Sequence, residues 1–276
     1  MTIILDAMGS DDHPVPEILA AIELTRQQGK EIILVGNEEI LRTKLRELTQ
    51  EPLPIRIVHA PEVLEMTDKP VENARGKSQN SMAVGMDLLK TEPNSAFVTA
   101  GNTGGAMVNA LLRLGRLKGV TRPALTGNFP VRNGSCSVID IGVNADCRPD
   151  FMLQFAIMGS VYVEKVKHIQ HPRVGLLANG EEAGKGNLLL KETFPLLSNS
   201  GLNFIGNVEP KEMFNGAADV VITDGFTGNI LLKTSEAVSK LMTDILKEQL
   251  MSSLQTKLGA LLAKPAFDHL KLLLDP

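Results

Sequence analysis

Two look-alike stretches of this chain end a short apolar β-run on the pattern Thr-x-Gly-x-Thr-Gly and then open an apolar helical segment. They are "SAFVTAGNTGGAM", from Ser95 to Met107, and "ADVVITDGFTGNI", from Ala218 to Ile230. In parallel α/β proteins, ligands bind at the carboxyl ends of strands, where loops feed into helix N-termini. Those termini present unpaired N–H groups and the positive end of the helix dipole, which suits an anion. Gly104, Gly225 and Gly228 allow close backbone approach, and Thr103 and Thr227 either cap the helices or donate to a phosphate. One such corner alone reads as a capped helix. Two in one chain point to a divided anion site, in which both bends grip one small oxyanion.

Other polar turns fall at the same kind of position. "DAMGSDDHP" follows the first apolar run with Asp6, Gly9, Ser10, Asp11, Asp12 and His13. "DIGVNADCRP" supplies Asp140, Asn144, Asp146 and Cys147, and "NGEEAGKGN" supplies Glu181, Glu182, Lys185 and Asn187. A loop is polar for solvation alone, so each set is weak by itself; their shared place at strand ends is the stronger signal. "LLRLGRLKGVTRP" gathers Arg113, Arg116, Lys118 and Arg122 at a helix end and the following loop. Such charges either complement the helix dipole or form a local basic patch suited to an acidic partner.

Several familiar motifs are absent. No GxGxxG and no GxSxG occurs, and "RGKS" at Arg75 to Ser78 lacks the earlier glycine of a phosphate-binding loop. His168 and His171 in "KHIQHP" have no neighbouring Cys or carboxylate to complete a metal set, so no metal is expected. Cys147 has no histidine in its own loop and reads as a small lining residue before a nucleophile.

The elements that must position these loops follow from periodicity. Short β-branched runs start near Ile3, Glu31, Ile55, Ala96, Ala124, Ser137, Arg173, Asn203 and Val220. Helix-period segments separate them at Pro16 to Gln28, Glu38 to Leu48, Ser78 to Lys90, Thr103 to Leu117, Pro149 to Lys165, Asn187 to Leu197 and Asn229 to Met251. This alternation predicts βαβ units and an α/β fold of three layers, α/β/α, with a mostly parallel sheet. From about Ser239 the pattern changes. Leu246, Leu250, Leu254, Leu258 and Leu261 share a helical face, Pro265 is expected to interrupt the helix, and a second apolar face is expected with Phe267, Leu270 and Leu274. The division expected is therefore a catalytic α/β domain over 1–238 and an amphipathic helical hairpin over 239–276. The hairpin packs on its own core or a second subunit, with a membrane-surface role as the second reading, supported by Lys257, Lys264 and Lys271.

Bulk properties exclude other classes. With 28 Lys plus Arg against 32 Asp plus Glu, the formal charge is -4, so nothing draws the chain globally to nucleic acid. Aromatics are 4% and Trp is absent, which argues against a base-stacking platform. Cys136 and Cys147 are the only cysteines and form no CxxC pair, so a cytoplasmic, reducing compartment is expected. "MTIILDAMGSDD" reaches Asp6 after a few apolar residues and has no basic n-region, unlike a signal peptide. The apolar stretch from Phe151 to Val163 falls short of the roughly 20 residues of a membrane span and reads as a buried helix.

Taken together, "DAMGSDDHP", "TAGNTGGAM", "GRLKGVTRPAL", "DIGVNADCRP", "FAIMGSVY", "RVGLL", "KGN", "NFIGNVE" and "ADVVITDGFTGNILLKTSE" resemble, in order and across almost the whole chain, the bacterial acyl-carrier-protein:phosphate acyltransferases of phospholipid synthesis, the PlsX family. That family is similar in fold to isopropylmalate dehydrogenase and phosphate acetyltransferase. The resemblance implies transfer of a long-chain fatty acyl group from acyl carrier protein to inorganic phosphate, without a cofactor, giving acyl phosphate. It also implies a homodimer and hand-over to a glycerol-phosphate acyltransferase, with the amphipathic leucine helices forming the dimer contact, a path for the acyl chain, or a foothold on the inner face of the membrane. The sequence departs from the family where Ser10 replaces a Gly and an extra Asp precedes His13. It also stops at Pro276, where relatives run on into a Gly-rich stretch and a His-Gly-x-Ser-Asp loop, so a truncated chain is expected.

Phosphate attack on a thioester needs no covalent enzyme intermediate, only a held anion and a stabilised oxyanion. The residue chemistry of the corners fits that reaction: two helix N-termini with Thr103 and Thr227, plus Lys185, would hold phosphate, and Asn102, Asn144 or Asn229 would donate to phosphate or carbonyl. Asp224, His13 or Asp146 would orient donors or relay a proton, and Gly9, Gly104, Asn187, Gly225 and Gly228 complete the binding set. Arg113, Arg116, Lys118 and Arg122 would dock the carrier. The rival readings are a catalytically impaired scaffold of the same fold and an isopropylmalate-type dehydrogenase.

Overall fold

The computed structural model describes residues 1–132 and 134–274; the last two residues of the expected 239–276 hairpin lie outside the described residues. Two compact units divide the chain between Leu117 and Lys118.

In the first unit, β1 (Thr2–Asp6), β2 (Ile32–Gly36), β3 (Ile55–His59) and β4 (Ser95–Val98) form a parallel sheet in the order β3-β2-β1-β4. Every residue of β2 is buried, as a strand covered on both faces requires. Side-chain alternation sends Ile32 and Leu34 toward α1 (Val15–Gln28) and α2 (Glu38–Leu48), where they pack with Ile18, Ile22 and Leu41. Ile33 and Val35 face the other way, against Val84 and Leu88 of α4 (Ser81–Leu88). Full burial of each such side chain stabilises by about 1.5–3 kcal/mol. Two further helices, α3 (Pro70–Gly76) and α5 (Thr103–Arg113), pack beside the loop that carries Leu64.

The second unit repeats the three layers. Its strands are β5 (Thr126–Val131), β6 (Gly134–Ile139), β7 (Val174–Leu177), β8 (Phe204–Val208) and β9 (Val220–Ile222), in the order β5-β6-β9-β7-β8. Only β5 runs antiparallel, paired to β6 at the edge. One face of the sheet, with Val220, Ile222 and Leu176, packs on α6 (Pro149–Val166) and α7 (Leu188–Ser198) through Met152, Phe155, Leu190 and Leu197. Phe155 and Met152 are fully buried, so the apolar stretch at Phe151 to Val163 is a core helix, as expected. The opposite face, with Val221, Val138 and Val208, meets Met213 of α8 (Pro210–Phe214) and Leu231 and Leu232 of α9 (Gly225–Met251).

Past its first turns α9 leaves the core, and α10 (Leu254–Leu274) follows it. Leu254, Leu261 and Leu262 are 86%, 67% and 76% exposed. The helix break lies at Ser252 and Ser253, not at Pro265, which sits inside α10. The reason is a reciprocal cap. Ser253 Oγ accepts the Thr256 amide at 3.2 Å and Thr256 Oγ1 accepts the Ser253 amide at 3.1 Å, a Ser/Thr version of the capping box. The division at 238/239 falls inside α9. Among the described residues no helix is long and apolar enough to cross a membrane.

Candidate functional site

The two look-alike corners do not fold alike. In the first unit the helix starts at Thr103, and Asn102 is the N-cap, its Oδ1 accepting the Gly105 amide at 2.9 Å. In the second unit the helix starts two motif positions earlier, at Gly225. Asp224 is the N-cap, with Oδ1 accepting the Thr227 amide at 2.9 Å. Thr103 and Thr227 are thus first-turn residues rather than caps. The cap moves because each corner places its Asn or Asp, stronger capping types than Thr, at a different point of the motif.

The first-unit corner is built by the parallel pairing of β1 with β4, which sets their carboxyl ends side by side. Fully buried Asp6 accepts the Thr99 hydroxyl at 2.7 Å and the Met8 amide at 3.1 Å, and Thr99 Oγ1 accepts the Gly101 amide at 3.0 Å. Only glycine fits at position 9: a Cβ there would lie 2.8 Å from both Asp6 Oδ2 and the Gly101 nitrogen. Asn102 is spent on structure, since its amide also donates to the carbonyls of Met66 and Asp68, each at 3.1 Å. The amides of Thr103 and Gly104 open the helix without intrahelical partners, and Thr103 is exposed. His13 contacts the Ser10 carbonyl through Nδ1 at 2.8 Å.

The second-unit corner is organised by Asp140, a residue named in its turn at the sequence level but given no role. It is fully buried and held at φ 69, a left-handed conformation that Asp tolerates better than most residues. Its carboxylate accepts the amides of Val143 at 2.9 Å and Asn144 at 2.8 Å, the more distant Gly142 amide, and the Asn144 side chain at 2.8 Å. Asn144 also donates to the Pro123 carbonyl at 2.8 Å and accepts the Gly225 amide at 2.8 Å, so it is a knot rather than a spare donor. A Cβ at Gly228 would stand 2.1 Å from the Asp140 carbonyl oxygen, and one at Gly225 would stand 2.6 Å from the Asn144 nitrogen. α9 can approach this loop only through glycines.

At the start of α9 the Thr227 hydroxyl donates to Asp224 Oδ2 at 2.7 Å. Asp224 is 7% exposed. Asp146, Cys147, Asn187, Phe226 and Leu189 join these two around a depression of about 370 Å³. Four of the expected residues, Asp146, Asn187, Asp224 and Thr227, therefore meet. Asn187 also caps α7, accepting the Leu190 amide at 3.0 Å. Lys185 is exposed in the neighbouring turn, its amide bonded to the Glu182 carbonyl, and does not line the depression. Asn229 is exposed beside Gly142.

Cys147 donates its thiol to the Asn144 carbonyl at 3.3 Å. Burial, reinforced by Asp140, pushes that thiol up to about 11. A thiol at neutral pH is a poor nucleophile, and the polar side chains paired at this corner are those of Asp224 and Thr227.

Of the expected carrier-docking cations, Arg113 and Arg116 belong to the first unit and Lys118 and Arg122 to the second. Arg113 pairs with Asp87 at 3.0 Å and contacts the Ser78 carbonyl, while Arg122 lies over the Phe151 ring, 5.7 Å from its centroid. His168 and His171 lie in the loop before β7. Among the described residues no three His, Cys, Asp or Glu side chains form a potential metal set.

Solved structures similar to this chain include a phosphotransacetylase from Streptococcus pyogenes, with a TM-score of 0.62 at 18% identity over 87% of this chain and 82% of that one. The EutD phosphotransacetylase from Staphylococcus aureus gives 0.61 at 16% identity, with the same coverage. These likenesses establish the α/β fold. In sequence, the phosphate acyltransferase of Elusimicrobium minutum is 46% identical over 277 residues, spanning 100% of this chain and 81% of the relative. That of Acidobacterium capsulatum is 46% identical over 275 residues, spanning 99% and 82%. Residues 1–276 match the family described as fatty acid synthesis protein. With the whole length of the chain accounted for by that match, it belongs to the fatty acid synthesis protein family, alongside relatives named phosphate acyltransferase.

Proposed function

We propose that the chain acts as a phosphate acyltransferase that moves a long-chain fatty acyl group from acyl carrier protein to inorganic phosphate, supplying acyl phosphate for phospholipid synthesis. The likeness to phosphate acyltransferases along its whole length carries the activity. An isopropylmalate-type dehydrogenase and an inactive scaffold are both disfavoured by the names of those relatives.

The Asp224–Thr227 pair supports a specific division of labour. An oxygen of hydrogen phosphate attacks the thioester carbonyl carbon, and the new C–O bond forms as the C–S bond breaks. The phosphate's remaining proton must end on the departing carrier thiolate. With its own hydrogen directed to Asp224 Oδ2, the Thr227 oxygen is free to accept that proton's hydrogen bond, and the pair relays it. Asn187 and Asp146 border the same depression and orient the reacting groups, and exposed Lys185 supplies positive charge to the incoming phosphate. Asn229, Asn144, Gly225 and Gly228 shape the loop. Thr103 and Gly104 offer the N-terminal amides of α5 to an anion, Asn102 caps that helix and Gly9 lets the neighbouring loop pack closely, and His13 orients a donor or relays a proton. Acyl carrier protein, an acidic partner, docks on Arg113, Arg116, Lys118 and Arg122. The exposed α9–α10 leucines make a homodimer contact in a cytoplasmic protein, with a foothold on the inner membrane surface as the second reading.

The test combines purified protein, hexadecanoyl carrier protein and phosphate, and measures acyl phosphate trapped as hydroxamate. Asp224→Asn keeps a competent cap but removes the proton acceptor, so turnover is expected to fall roughly 100-fold or more, the scale of a lost proton-transfer group. Absence of any phosphate-dependent product from the unaltered protein would refute the activity.

A further inference from the structure

Beside the Asp224 corner, and wholly within the second unit, lies a cavity of about 810 Å³, inside the roughly 300–1,000 Å³ range of small-molecule sites. Its polar end carries Thr223, Asp224, Thr227 and Asn187, the corner just described. Away from that end the wall changes character. Leu177 closes one side from β7 and Leu190 from α7, and Pro210 and Phe214 close another from α8. The long wall is a single face of α9, where Ile230, Leu231, Thr234 and Val238 follow Thr227 at helical spacing. The lining continues to Ser239, twelve residues beyond Thr227, which at 1.5 Å per residue is about 18 Å.

Two further features define what fits. Among the lining residues Asp224 is the one charged side chain, so a nucleotide or other polyanion finds no counter-charge along the wall. The Ser235 hydroxyl is satisfied internally by the Leu231 carbonyl at 2.8 Å and asks nothing of an occupant. Phe214, Ile230 and Val238, which line the cavity, are 37%, 50% and 53% exposed, apolar surface that an occupant would cover. A ligand with a short polar head at the corner and a long neutral tail along α9 matches this distribution of polarity.

We infer that this cavity is the site of the acyl tail, with the thioester at Asp224 and Thr227 and the α9 face from Ile230 to Val238 acting as the ruler of chain length. The inference rests on the acyltransfer reading above and assigns residues to which that reading gives no role. The ruler is graded by position. Bulk at Ile230, one turn beyond Thr227, blocks all but short tails, whereas bulk at Val238 blocks only the longest.

The experiment compares acyl phosphate formation from octanoyl, dodecanoyl and hexadecanoyl carrier protein by the unaltered protein, Ile230→Trp and Val238→Trp. Alongside it, titration calorimetry measures binding of S-octyl and S-hexadecyl pantetheine thioethers, mimics that phosphate cannot cleave. For Ile230→Trp, hexadecanoyl turnover and hexadecyl affinity are expected to fall roughly 10-fold or more relative to the octyl substrates, the scale on which an apolar pocket discriminates size. Val238→Trp should spare dodecanoyl and reduce hexadecanoyl alone. Both positions are half-exposed, and circular dichroism checks each variant's fold. Unaltered chain-length profiles in folded, active variants overturn the inference, as does a change in oligomeric state without a change in profile. A protein that binds the thioethers in this length-dependent manner yet makes no acyl phosphate leaves the tail site standing and removes the acyltransfer reading.

Discussion

At the residue scale, the chemistry proposed for the second corner turns on where one hydrogen points. Thr227 Oγ1 lies 2.7 Å from Asp224 Oδ2 and donates to it, so the hydroxyl can receive from phosphate but not donate while that bond lasts. Thr227→Val removes the acceptor and keeps the β-branched shape. The expected outcome is an apparent KM for phosphate raised roughly 10-fold or more, as for loss of one hydrogen bond to a charged group, with the melting temperature nearly unchanged. Phosphate titrations of both proteins at fixed acyl carrier protein check this, and an unaltered phosphate dependence would demote Thr227 to a structural role. Thr227, Asp224, Asn187 and Asp146 could be named from sequence because each lies in a polar turn that follows an apolar run. Asp140 stood in the same loop, yet nothing local announced that its carboxylate would gather the loop's amides. Asp6 met its partner Thr99 across 93 positions of chain, a distance no local pattern spans.

At the element scale, the strands and long helices were readable to within a few residues because burial on two faces leaves continuous apolar runs such as "IILVG". Two short helices, α3 and α8, were missed, although both begin with Pro at the first position and place Glu two residues later, a start signal in itself. Proline was over-read elsewhere. Pro265 lies inside α10, while the quieter Ser252–Ser253 pair ends α9. Long-range charge also secures elements. Asp219, just ahead of β9, accepts the Arg173 amide at 2.8 Å, Nε at 3.0 Å and Nη2 at 2.8 Å, pinning the start of β7. Burial alone would raise the Asp219 carboxyl, but the bonds from Arg173 outweigh it and hold it below the usual carboxylate range. A depressed folded-state pKa means the stabilisation is fully present above the unfolded value of about 3.9 and is lost as pH falls through the folded value. Asp219→Asn should therefore lower the melting temperature at pH near 7, with the gap to the unaltered protein closing in acid below about pH 4. Melting curves across that range decide it, and a gap independent of pH would mean the carboxylate's charge contributes nothing.

At the scale of the whole molecule, the α9–α10 pair is the feature that the described residues leave uncovered. Each unit closes its own core, yet Leu241 and Met242 of α9 stand 57% and 63% exposed and Leu258, Leu261 and Leu262 of α10 stand 61%, 67% and 76% exposed. Apolar surface of this kind on helices marks an interaction face, and two occupants compete for it. A second copy would bury both leucine stripes together, as helices with self-complementary faces do. A bilayer would take up the same stripes with Lys257, Lys264 and Lys271 at its surface. The two differ in what charge does. Leu258→Asp with Leu262→Asp should turn a dimer into monomers in sedimentation velocity, at a protein concentration where the unaltered chain is dimeric, while Lys257→Gln with Lys264→Gln should leave the dimer intact. If instead the unaltered chain sediments as a monomer and floats with anionic vesicles in a manner that the lysine substitutions weaken, the stripes belong to the membrane. The sequence displayed the stripes plainly, but their period is the same for either partner, which is why only an experiment on assembly separates them.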